Sequence, residues 1–122
     1  MQPAGPSTSP PPPPSSTRAP LRVIVSAGPS RAGVDALLEA AVDEHRPGAG
    51  VAVLFTEEGL DLLAGRWPSR LAKAGIPTSL CARSARARRL APESLPPTVA
   101  WSSLTSFLAD ADPGARLWTA FP

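Results

Sequence analysis

Residues 51–55 read Val-Ala-Val-Leu-Phe, flanked by Gly50 and Thr56, with no polar side chain between them. A strand with one solvated face alternates apolar and polar residues, so a run that is apolar at both parities predicts burial on both sides. Strands of that kind belong to parallel sheets covered by helices, and the flanking sequence agrees. Leu21 to Ser26 (LRVIVS) reads as an earlier strand, broken by Ala27-Gly28-Pro29-Ser30. Val34, Leu37, Leu38, Ala41 and Val42 then fall on one face of a helix from Ala32 to His45, with Ser30 placed to cap it and Pro47-Gly48 to stop it.

The same alternation continues to the end. Helical stretches at about Leu60 to Ala64 and Pro68 to Lys73, with Gly75 at the C-cap, lead to a strand from Ile76 to Cys81. An alanine- and arginine-rich helix over Ala82 to Leu90 and a loop over Pro92 to Pro97 follow. A short strand, Thr98 to Trp101, precedes a helix capped by Ser102 or Ser103, with Leu104, Phe107 and Leu108 facing inward. Asp112-Pro113-Gly114 turns the chain into a last strand, Ala115 to Ala120. About five short, mostly parallel strands alternating with helices predict a three-layer α/β/α sandwich.

The first twenty residues stand apart, with prolines at 3, 6, 10 to 14 and 20 and almost nothing apolar between them. Proline removes backbone donors, so residues 1–20 are expected to form a disordered, solvated leader, leaving 21–122 as the folded domain. This stretch lacks the basic start and apolar run of a secretion signal, and no apolar run is long enough to span a membrane. A single cysteine forbids an internal disulfide and suits a reducing, cytoplasmic compartment.

Charge is segregated along the chain. Asp35 to Asp61 holds seven acids and one base, Arg46, whereas Arg66 to Arg89 holds seven bases and no acid. Such segregation implies a surface that meets an anion or a partner, or two solvated helix faces of opposite sign. Nucleic acid is poorly supported, because the arginine-rich helix has no interleaved aromatics.

In parallel sheets functional groups gather beyond the carboxyl ends of the strands. The segments expected there are Ser26–Arg31, Thr56–Gly59, Cys81–Ser84 and Trp101–Ser103. Cys81 carries the most chemistry, because it ends a strand and opens a helix, where free N–H groups favour an anion. Arg83 and Arg86 add positive charge, and a thiolate held this way would be nucleophilic. The opposing expectation is a buried cysteine acting as a small apolar residue. His45 reads as a helix cap, and Trp67, Trp101 and Trp118 as packing or interface residues. One histidine and one cysteine far apart give a metal site no support.

The segment Gly75 to Glu93, GIPTSLCARSARARRLAPE, resembles the cysteine segment of the DsrE/DsrF-like family, which includes the TusD-type sulfur-relay subunits. Gly28 to Ala41, Val51 to Leu60 (VAVLFTEEGL), Val99 to Leu108 and Arg116 to Phe121 are similar, in order, to the family's other segments. The resemblance implies a DsrE-like fold and a persulfide on Cys81, with Arg83 and Arg86 stabilising the anion and no metal or organic cofactor. It also implies a protein sulfur donor or acceptor and assembly into homo- or hetero-oligomers, trimers or hexamers. Where the family has a glycine after the arginines, this chain has Arg89 and Leu90. Two other readings remain open, a non-catalytic assembly or regulatory subunit, and a phosphate-binding domain using Gly28–Ser30 and Thr56–Gly59.

Overall fold

The structure is a computed structural model that describes residues 19–46 and 50–122. Most of the expected leader (1–18) and the expected Pro47-Gly48 stop lie outside the described residues. Ala19 and Pro20 already belong to the domain, since Arg116 donates from Nε and Nη2 to the Ala19 carbonyl and from its backbone to that of Pro20.

Five strands form one sheet: β1 (Leu21–Val25), β2 (Val51–Phe55), β3 (Thr78–Cys81), β4 (Ala100–Ser102) and β5 (Arg116–Ala120), in the spatial order β4-β3-β2-β1-β5. Every neighbouring pair is parallel. The α/β class read from residues 51–55 is therefore the observed one, and β2 indeed lies inside the sheet with both parities buried.

Four α-helices connect the described strands: α1 (Val34–Glu44), α2 (Trp67–Lys73), α3 (Ala82–Ala87) and α4 (Leu104–Ala109). Residues 57–64 form a 3₁₀ segment, and 92–94 a shorter one. The core is built on one sheet face. Val23, Val25, Val53, Phe55 and Leu80 meet Leu38 of α1, Leu63 of the 3₁₀ segment, Trp67 and Leu71 of α2 and Ala85 of α3 in one cluster. The Trp67 indole donates to Asp35 Oδ1 at 2.8 Å, tying α2 to α1. Gly59 makes this layer possible, because a Cβ there would collide with the Val25 carbonyl oxygen.

The opposite face is thinner. Ile24, Leu54 and Phe107 make a separate small cluster. Arg22 secures α4 from below, with its guanidinium 4.8 Å from the Phe107 ring centroid and donating to the Asp110 carbonyl. The return from β4 to β5 crosses four strand spacings, about 19 Å, with a helix of about 9 Å. It cannot cover the sheet. Of the three α4 residues expected to face inward, only Phe107 is buried, and Leu104 and Leu108 are 41% and 42% exposed.

Several local expectations are corrected. Ser30 does not cap α1; the chain turns first, with Arg31 N–H donating to the Gly28 carbonyl, and the helix starts after Gly33 at φ 91°. Gly75 stands one residue beyond the C-cap, Ala74, at φ 76°, and the Ile76 N–H returns to the Leu71 carbonyl. Ser103 rather than Ser102 caps α4, accepting from the Ser106 N–H at 3.0 Å. The arginine-rich helix, expected to run to Leu90, ends at Ala87, and Arg89 takes a left-handed φ of 58°.

The charge runs also find each other. Arg66 and Arg70 bind Glu39, and Arg88 binds Asp61 at 2.6 Å. Segregation along the sequence becomes partial neutralisation in space, because α2 packs beside α1 and the end of α3 beside the 3₁₀ segment.

Candidate functional site

Strands β1, β2 and β3 each leave their carboxyl end toward the packed face, through α1, the 3₁₀ segment with α2, and α3. Strand β4 leaves toward the other face, through α4. The adjacent strands β3 and β4 therefore part company at their carboxyl ends, and such a switch point opens a crevice. A cleft of about 500 Å³ lies there, lined by Thr56, Glu57, Cys81, Arg83, Ser84, Ala87, Ser103, Leu104 and Thr105. Three of the four segments expected at the strand ends thus meet in one cleft. The fourth, Ser26–Arg31, does not line it, and Ser26 instead bonds the Ala120 carbonyl.

Cys81 is the residue before the first turn of α3 and is 8% exposed. Its register opposite Ser102, one step beyond the Leu80–Trp101 pair, turns it to the thinly covered face of the sheet. Burial is the largest single influence on the thiol and pushes its pKa up. Against it act donors from the Ser84 backbone, the Ser84 and Thr56 hydroxyls and the Arg83 backbone, and together they hold Cys81 below its ordinary value of 9.0. The neutral thiol forms no formal cap hydrogen bond. The donors act on the charged form, and a thiolate is by far the better acceptor.

The two hydroxyls are themselves partners. Thr56 Oγ1 and Ser84 Oγ lie 2.9 Å apart and buried, and either can donate. One proton is committed to that bond, so only one hydroxyl donates to sulfur at a time. Reversing the bond exchanges which hydroxyl is free to face the sulfur and leaves one donor for it in either arrangement. The sequence reading passed over this pair. The signal was the Cys81-x-x-Ser84 spacing, the geometry by which a residue before a helix reaches the third helical position.

Arg83 lines the cleft beside Cys81, whereas Arg86, one turn along α3, is exposed and outside the lining. Glu57 lines it too, in a left-handed conformation at φ 50°. His45 closes α1 as expected, its N–H bonding the Val42 carbonyl and its Nδ1 accepting from Val51 N–H at 3.0 Å. Trp67 is fully packed, and Trp101 and Trp118 lie against the core edge. A second groove, of about 520 Å³, runs beside α2 and holds no thiol, histidine or carboxylate. Among the described residues no cluster of His, Cys, Asp and Glu could hold a metal, and no helix is long and apolar enough to cross a membrane.

The chain matches no protein-family model and no curated protein sequence. The site must therefore be interpreted from its own geometry.

Proposed function

We propose that this protein is a DsrE/DsrF-like sulfur carrier, taking up sulfane sulfur on Cys81 as a persulfide and passing it to an acceptor. The observation that carries the reading is the donor set around the sulfur, two backbone N–H groups and a hydroxyl pair, at the wall of a switch-point cleft. In the uptake step the Cys81 thiolate attacks the terminal sulfur of a donor persulfide. The donor's S–S bond breaks, its own sulfur leaves as a thiolate, and a new S–S bond forms on Cys81. Delivery is the same displacement, with the acceptor thiolate attacking. No oxidant is consumed. The donors favour the anionic form in both states, and Arg83 supplies positive charge at the cleft wall, with Arg86 further out along α3. A reducing compartment such as the cytoplasm suits the chemistry, and an assembly of several subunits suits the resemblance.

Native protein treated with a small persulfide donor and then alkylated should gain the mass of one sulfur atom, and Cys81→Ala should gain none. Ser84→Ala should slow the gain. Absence of the adduct with several donors overturns the reading. The 8% exposure of Cys81 favours the alternative of a structural thiol in an assembly or regulatory subunit. That alternative predicts alkylation by iodoacetamide only after unfolding.

A further inference from the structure

The seven bases between Arg66 and Arg89 are not equally satisfied. Arg66, Arg70 and Arg88 have acids of this chain beside them, whereas Lys73 on α2 and the trio Arg83, Arg86 and Arg89 have no ion pair among the described residues. All three are exposed, and they recur every third residue along α3 and its end. Within α3, Arg83 and Arg86 are three residues apart and neighbours on the helix, so their like charges crowd one another. The positive charge left over is thus concentrated beside the Cys81 cleft, which Arg83 itself lines. Across the cleft stands Leu104, exposed where the apolar pattern of α4 expects burial, with Leu108 one turn on and equally exposed. Two kinds of unsatisfied surface, cationic and apolar, therefore meet at a single opening.

We propose that α3 and α4 form a docking surface for an acidic segment of a partner protein that also carries apolar side chains. Carboxylates of the segment would meet Arg83, Arg86 and Arg89, and its apolar residues would cover Leu104 and Leu108. A guanidinium can meet a carboxylate of the segment in a bidentate pair. No aromatic lines the cleft to offer a stacking platform, which sets a protein segment above RNA. The proposal deepens the sulfur-carrier reading, since a donor or acceptor must reach this cleft, but docking does not require the thiol.

The test measures binding of the full chain to a fluorescein-labelled peptide of glutamates interrupted by leucines, by anisotropy at low salt. Wild type and Cys81→Ser should bind equally. The double variant Arg83→Glu/Arg86→Glu should lose about tenfold or more in affinity, and Leu104→Ser should lose less. The same peptide with glutamines should bind as poorly as the charge-reversed variant. Circular dichroism confirms that these exposed substitutions leave the fold intact. No binding, binding indifferent to charge reversal, tighter binding of single-stranded RNA, or salt-sensitive self-association through the same arginines would overturn the proposal. Binding that persists when no persulfide forms would retain the docking surface and reject only the sulfur chemistry.

Discussion

The two faces of the sheet are built to different standards. On one, α1, α2, α3 and a 3₁₀ segment bury Phe55, Leu80 and Trp67 in a continuous core. On the other, one six-residue helix contributes Phe107, and Leu104, Leu108 and Leu117 remain exposed. Parallel sheets ordinarily bury both faces, so among the described residues the second face is incompletely covered. The difference teaches where burial is concentrated and where the sheet stays open. Stability comes from the packed face, and the cleft opens where the chain changes sides. Cys81 belongs to both, held by donors from α3 while its strand position turns it toward the thin face.

This contrast can be broken by matched substitutions. Phe55→Ala, on the packed face, should destabilise the protein by about 3–5 kcal/mol, the cost of a large buried cavity. Leu117→Ala, on the thin face and 52% exposed, should change stability by under about 0.5 kcal/mol. Urea denaturation of both variants checks the pair, and equal losses would show that the thin face is covered after all, by a partner or by residues outside those described.

Arg89 sharpens the comparison at a finer scale. Its left-handed φ of 58° closes α3, and the Leu90 N–H returns to the Ala85 carbonyl. Arg89→Gly removes the steric cost of that conformation, partly offset by the freer unfolded chain, and should stabilise by about 0.5–1 kcal/mol. A thermal midpoint that falls instead would mean that the guanidinium contributes to the fold.

The last effect appears as a slope against pH. Because the native pKa of Cys81 lies below its ordinary 9.0, the ionised sulfur stabilises the fold fully above pH 9.0. That contribution is lost as pH falls through the lowered native value. Wild type should therefore gain stability relative to Cys81→Ser as pH rises toward 9, measured as the difference in urea midpoints. Parallel profiles would show that the donors do not act on the sulfur.

Much of this was legible in advance. The five strands, the 3.6-residue stripe of α1 and the placing of Cys81 at a strand-to-helix junction follow from local apolar periodicity and turn residues, which act within a few positions. What failed did so where distant residues decide. Ser30 is a good cap in isolation, yet the turn from Gly28 to Arg31 displaces the start of α1 to Gly33. The apolar residues of α4 promised an inward face, but the return to β5 is too long for so short a helix to bury them.

The same division holds at the site. The sequence alone singled out the candidate residue, because Cys81 is the one cysteine of the chain, and it placed positive charge after it. The tertiary structure decided which of those charges are free, since it set Arg88 against Asp61 and left Arg83, Arg86 and Arg89 without an acid. It also supplied Thr56, which follows β2 and lies 28 residues earlier, to the Ser84 hydroxyl that faces the thiol. Periodicity reports what a residue needs from its neighbours along the chain. Only the crossing of β4 over to β5 determines which of those needs the fold leaves unmet.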